Sequence, residues 1–197
     1  MKSYAELKRR FHRLSALSDA ASMLHWDASV HMPTAAAPAR AEQLAELKLV
    51  RHEILTAADL ADLISEACQE TEGDAWRSAN VTEMHRHRIH AAAVEADLVA
   101  ALIKKSSTCE MLWREARPAN DFAAVATALD EVVGLVRNIA EAKAEALKCS
   151  AYEALIDQYE PGARIGQIEA LFDDLVKFLP NFIDRVLERQ AGEAPLK

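Results

Sequence analysis

Five glycines and six prolines are all that interrupt 197 residues. Short strands need a turn every few residues, and turns draw on those two residue types. A chain this poor in both is confined to long elements. The 39 alanines point the same way, because alanine has the highest intrinsic helix propensity. An all-β fold is excluded, and the expected class is all-α: six to seven mostly antiparallel helices packed as hairpins in a single helical region over 1–197.

The apolar spacing marks the elements. Ser3 with Glu6 reads as a capping box ahead of Leu7, Phe11, Leu14, Leu17 and Ala21, which predicts a first helix from about Ser3 to His25. Pro33 and Pro38 bracket a connector, and Leu44, Leu47, Ile54 and Leu55 mark a second helix entered near Pro38. Thr56 and Asp59 are expected to cap a short third helix through Leu60, Leu63, Ile64 and Ala67. A fourth starts at Asp74 and a fifth carries Leu98, Leu102, Met111 and Trp113. After Pro118, Asp121 is placed to cap a long helix with Val125, Val132, Val136 and Ile139 on one side. A short segment at 152–159 stops at Pro161-Gly162, and a last helix spans about Ile165 to Gln190.

Charge narrows the partners. Lys+Arg 23 against Asp+Glu 31 gives a net charge of −8, which argues against a nucleic-acid partner or an anionic membrane surface. The longest uncharged run, Ala28 to Ala39, contains two prolines and is far shorter than the ~20 apolar residues of a membrane span. The amphipathic start lacks the apolar stretch of a secretory signal, so a cytoplasmic location is expected. Cys68, Cys109 and Cys149 form no Cys-x-x-Cys and read as buried, reduced thiols.

No complete catalytic motif stands in the chain. His52-Glu53-Ile54-Leu55-Thr56 opens like the zinc-protease motif, but Thr56 replaces the second imidazole. No histidine has a Glu three residues before it, which removes the di-iron bundle pattern. Glu83, His87 and His90 share one helical face and form the best remaining donor cluster, although Arg86 and Arg88 interleave and repel a cation. Phosphate-cradling and nucleophile-elbow motifs are absent.

A set of strings carries more. Leu24-His25-Trp26-Asp27, Met32-Pro33, Arg40-Ala41-Glu42-Gln43-Leu44, Leu112 to Arg117 with Asn120-Asp121-Phe122, and Tyr152 to Asp157 with Tyr159-Glu160-Pro161-Gly162 follow one another along the chain. In order and spacing they resemble the carboxypeptidase Taq family of metallocarboxypeptidases, from Tyr4 to Leu196. The resemblance implies a nearly all-helical, cytoplasmic, homodimeric peptidase that removes residues from peptide C-termini with zinc or cobalt. It places the His-Glu-x-x-His metal motif in the family's C-terminal half, which this sequence does not contain. No catalytic or metal position is therefore carried onto a residue here. The chain is expected to be an N-terminal helical portion, inactive alone, whose partners are the C-terminal catalytic half, peptide substrate in the full-length form, and a second copy.

Among the matched residues, Trp26, Asp27, Arg40, Arg114 and Arg117 are the candidates for cleft or substrate-carboxylate contacts. Arginine binds carboxylates through two parallel hydrogen bonds, and a carboxypeptidase must recognise a free C-terminus. Packing for Trp26 and Trp113, and ion pairs or caps for the charged residues, are the competing roles. Val30 replaces a family Thr, and Thr34-Ala35-Ala36 replaces a Pro-Gly-Gly-like turn, which leaves that loop's conformation open. A rival reading is a free-standing helical interaction or regulatory module. A severed portion should expose a contiguous apolar patch, and a self-sufficient bundle should not.

Overall fold

The computed structural model describes residues 2–192. It contains α1 (Lys2–Val30), a 3-10 turn (Thr34–Ala36), α2 (Ala37–Thr56), α3 (Leu60–Glu70), α4 (Ala75–Ala92), α5 (Ala96–Ala116), α6 (Ala123–Leu147), α7 (Ala151–Ile156) and α8 (Ile165–Ala191). No strand occurs among the described residues. The all-α expectation holds, with eight α-helices rather than six or seven because the brief α7 counts as its own element.

The apolar periodicity translates into one compact core near the N-terminus. Tyr4 and Leu7 of α1 meet Leu60, Ile64 and Ala67 of α3 and Val81 of α4, with Leu7, Leu60, Ala67 and Val81 fully shielded. Each buried leucine contributes roughly 1.5–3 kcal/mol relative to exposure. A second, smaller cluster joins Cys109 and Ala116 of α5 to Val125 of α6.

Helix ends show which local signals decided structure. Asp74 accepts from the Arg77 amide at 3.0 Å and Asp121 from the Ala124 amide at 3.1 Å, so both caps form. Ser150 and Glu153 make a reciprocal capping box at α7. The expected Ser3–Glu6 box does not form. α1 already includes Lys2, and its Ser3 and Tyr4 amides donate instead to the Glu70 carboxylate of α3, at 3.2 and 3.0 Å. Ser3 Oγ donates to Glu66 at 2.6 Å, while Glu6 pairs with Arg9 and Arg10. A carboxylate from a packed neighbour accepts from helix-start amides more strongly than a serine hydroxyl.

Asp59 does not cap α3 with its side chain either. Its carboxylate is drawn to Arg10 of α1 at 2.9 Å, and Thr56 is the last residue of α2. α1 also runs on to Val30, past the expected stop at His25, because the first breaking residue is Pro33. The 34–36 segment, which lacks glycine, winds as a 3-10 turn with all φ negative, so no glycine is needed there. Gly162 does use the left-handed region, at φ 77°, in the turn after α7.

Several large apolar side chains face outward. Trp26, Trp76 and Trp113 are 52, 79 and 45% exposed, and Phe122 is 70% exposed. Cys109 is buried, but Cys68 is exposed and Cys149 only partly covered, so burial holds for one of the three free thiols. α8 is the extreme case, with none of its residues buried. Leu171, Phe172, Leu175, Phe178, Leu179, Phe182, Ile183 and Val186 all face solvent along it, and Pro180 lies within it.

Candidate functional site

A long cleft lies between α2 on one side and α5 and α6 on the other, closed by the end of α1 and by α7. Its volume is about 650 Å³. α2 sends Arg40, Leu44, Lys48 and His52 into it at successive helical turns. Those four span about 18 Å at a rise of 1.5 Å per residue. α5 answers with Leu102, Ile103, Glu110 and Arg114, and α6 with Val136, Ile139 and Lys143.

One end of the cleft gathers four of the five candidate residues. Arg40 pairs with Asp27 at 2.7 Å and donates to the Leu24 carbonyl at 2.7 Å, which ties α2 to the last turns of α1. Arg114 donates to Glu110 at 2.6 Å and to the Ala28 carbonyl at 3.3 Å. Trp26 stands at the same corner with its ring edge-on to His31, 5.3 Å between centroids. Arg40 and Arg114 line the cleft, whereas Trp26 and Asp27 stand beside it. Arg117 belongs elsewhere. Its guanidinium lies 5.0 Å from the Trp113 ring centroid, and both line a second, apolar groove of about 560 Å³ between α5 and α6.

The opposite end is organised by Asp157, a residue the sequence reading did not single out as a site. Its Oδ1 accepts from the Gly162 amide at 2.8 Å, and its Oδ2 lies 2.7 Å from His90 Nε2 and 3.5 Å from Arg86 Nη1. Arg86 Nη1 also donates to the Asp157 carbonyl at 2.6 Å. Burial pushes the Asp157 carboxyl up, but the Gly162 amide, His90 and Arg86 outweigh it and hold it below the ordinary range. Burial pushes His90 down more than Asp157 raises it. The two directions agree on a carboxylate beside a neutral imidazole whose Nε2 carries the proton. His90 Nδ1 is then a buried acceptor, and among the described residues it has no partner.

Lys143 and Lys48 complete that half. Lys143 is 7% exposed, and its ammonium donates to Gln158 Oε1 at 2.9 Å. Burial lowers its pKa; Lys48 is lowered by burial and then by Arg51. Neither makes an ion pair with a carboxylate among the described residues. The sequence carried one signal for this: Val136, Ile139, Ala140 and Lys143 fall on a single face of α6, so a lysine continues an apolar stripe.

The donor face at Glu83, His87 and His90 is divided. Glu83 pairs with Arg86 and with His87, at 3.4 Å for the latter, while His90 is taken by Asp157. Among the described residues no group of three or more His, Cys, Asp or Glu is arranged to hold a metal ion. The side chains present therefore do not fit the zinc or cobalt centre that the resemblance implies, and no catalytic step is assigned to them.

The arrangement defines an all-helical protein whose helices wall a long cleft, and comparison with known proteins says which kind. The sequence profile of the carboxypeptidase Taq (M32) metallopeptidases matches residues 6–196. Thermostable carboxypeptidase 1 of Pyrococcus furiosus is 27% identical over 190 residues, covering 96% of this chain and 37% of that protein. Its namesake from Thermus thermophilus is 29% identical over 190 residues, 90% of this chain and 37% of its own length. Among solved structures, Trypanosoma cruzi metallocarboxypeptidase 1 superposes on the whole chain with a TM-score of 0.83 at 31% identity, over 40% of its length. A Pyrococcus furiosus carboxypeptidase gives 0.79 at 26%, over 38%.

The chain belongs to the carboxypeptidase Taq (M32) metallopeptidase family. It corresponds to the N-terminal region of its relatives and spans only 37–40% of the lengths of these proteins.

Proposed function

We propose that the chain is the helical scaffold portion of an M32 metallocarboxypeptidase, a single helical region that walls the substrate cleft and does not hydrolyse peptides alone. What supports this reading is the match to the N-terminal 37–40% of M32 relatives, together with a cleft beside which, among the described residues, no three His, Cys, Asp or Glu converge to hold a metal ion. A hydrolytic metal centre needs its histidine and carboxylate ligands converging on one point, with an activated water in an open position. In this reading the zinc or cobalt ion and the general base come from the remaining part of the protein, as do the chemical steps.

The exposed α8 stripe favours a portion of a larger protein over a free-standing interaction module. A contiguous row of leucines and phenylalanines facing water marks an interface rather than a finished surface. The catalytic remainder is its proposed cover, in a protein that acts on peptides in the cytoplasm as a homodimer. Among the described residues no helix is long and apolar enough to cross a membrane. Trp26, Asp27, Arg40 and Arg114 are proposed as the wall at one end of the cleft, with the Arg40–Asp27 pair fixing the α1–α2 corner, and Arg117 as the wall of the neighbouring groove.

The test is direct. The purified chain, supplied with zinc or cobalt, is incubated with peptides and the free C-terminal amino acids are measured. No release above the metal-only control is expected. Sustained release that follows the protein through purification would overturn the reading.

A further inference from the structure

α8 buries none of its residues, and no other helix packs along it among the described residues. An unpacked apolar face is driven to close onto any apolar surface within reach. This chain offers one in the groove between α5 and α6, lined by Trp113, Phe122 and Leu129, yet α8 does not lie in it. Something other than packing sets its direction.

The restraint is polar and sits in the turn that launches the helix. Glu153 and Asp157, one helical turn apart on the α7 segment, both reach forward along the chain. Glu153 Oε1 accepts from the amide of Ile165, the first residue of α8, at 3.1 Å, while its Oε2 accepts from the Ser150 amide at 3.0 Å. Asp157 Oδ1 accepts from the Gly162 amide at 2.8 Å, and its Oδ2 is held by His90 of α4 at 2.7 Å. Arg86 of α4 donates to the Asp157 carbonyl, and Lys143 of α6 donates to Gln158. The start of α8 is thus tied through α7 to α4 and α6. The Ser150 and Ile165 amides hold the Glu153 carboxyl below its ordinary range, which keeps it an ionised acceptor for both. Hydrogen bonds to an ionised acceptor are roughly twice as strong as neutral ones.

We infer that Glu153 and Asp157 are positioning residues that aim α8, so that it projects as a preset arm with its apolar face already presented. The catalytic remainder is the cover it awaits, since the matched relatives continue well beyond a region of this length. A face ordered in advance meets its cover without a further ordering cost. That use rests on the scaffold reading above, whereas the aim belongs to this chain alone, so the test below can fail while peptide release stays absent.

The aim is read by double electron–electron resonance between nitroxide labels on α3 and α8. Cys68 is exposed on α3 and takes one label, and Lys177→Cys, exposed on α8 ahead of Pro180, takes the other. Cys149→Ser removes the partly covered thiol, and Cys109 is buried. Labelled chain is diluted into excess unlabelled chain, so that only distances within one molecule are read.

A single narrow distance distribution is expected, unchanged between low and high chain concentration. Asp157→Ala and Glu153→Gln should each roughly double its width with the helical circular dichroism signal retained. The first removes the acceptor of Gly162, and the second sets an amide donor against one of two backbone donors. Asp74→Ala, which loses a cap at the far end of α4, should lower the melting temperature and leave the width unchanged, separating aim from general stability. A broad distribution with the clamp unaltered, a narrow one that appears only at high chain concentration, or narrow distributions in both clamp variants would each overturn the inference. The first two outcomes need no clamp variant, so they decide the matter even if Asp157→Ala fails to fold.

Discussion

α3 and α8 are both amphipathic, and their fates differ completely. α3 buries Leu60, Ile64 and Ala67 against α1 and α4 within 11 residues. α8 is 27 residues long, carries a comparable row of apolar side chains and buries none. The lesson is that periodicity reports which face of a helix is apolar, while coverage depends on what chain is available to lie on it. In α3 the partners are at hand. In α8 they are not among the residues described.

That contrast can be broken first by truncating one leucine in each region. Leu60→Ala in the α1–α3 core should cost about 2–5 kcal/mol, by loss of transfer free energy and creation of a cavity. Leu175→Ala in α8 should leave stability within about 0.5 kcal/mol, as for a surface site. Urea unfolding followed by circular dichroism measures both. Equal losses would mean that α8 is covered in solution, for instance by a second copy.

Next in size is Asp157→Ala, which removes the shared acceptor of Gly162, His90 and Arg86. Breaking a largely buried pair of this kind should cost about 3 kcal/mol in the same unfolding assay. It should also loosen the turn at 157–162 while leaving the α1–α3 core intact. Amide exchange that accelerates at Gly162 but not at Leu60 would show this.

A smaller effect follows from pH. The Tyr4 amide, with the Ser3 amide adding to it, holds the Glu70 carboxyl down to about 2, from an ordinary 4.5. A depressed folded-state pKa means that the unfolded chain binds the proton more readily. The stabilisation is thus complete above about 4.5 and is lost as pH falls toward about 2. Glu70→Gln should flatten that part of the stability–pH curve, and an unchanged slope would show that Glu70 does not cap α1 in solution.

The smallest expected changes are at helix ends. Ser150→Ala removes one arm of the α7 capping box and should cost about 1 kcal/mol. Lys148→Gly should stabilise by roughly 0.5–1 kcal/mol, because Lys148 sits in the left-handed region at φ 54°, where a side chain is a liability. Thermal melts of the two variants should therefore move in opposite directions.

Much of the fold was legible because it is local. The caps at Asp74 and Asp121, the stop at Pro161-Gly162 and the extent of α8 all follow from residues within a few positions of one another. What escaped is what other helices decide. Ser3 and Glu6 have the spacing of a cap, yet Glu70 takes the amides and two arginines take Glu6. Trp26 and Trp113 look like core residues, yet nothing here packs over them fully. The same limit applies to the cleft. Arg40 and Arg114 were found by their chemistry, while Lys143 became visible only when α6 was seen to aim it inward with the apolar residues of its stripe.

The Glu70 contact also bears on the order in which the protein is made. The first amides of α1 are synthesised before α3, and their acceptor is 66 to 67 residues downstream. At synthesis rates of roughly 5–20 residues per second, α1 waits several seconds with its start unsealed. Through that interval its apolar face also lacks Leu60 and Ile64. The arrival of α3 therefore completes the start of α1 and covers its apolar face in a single step.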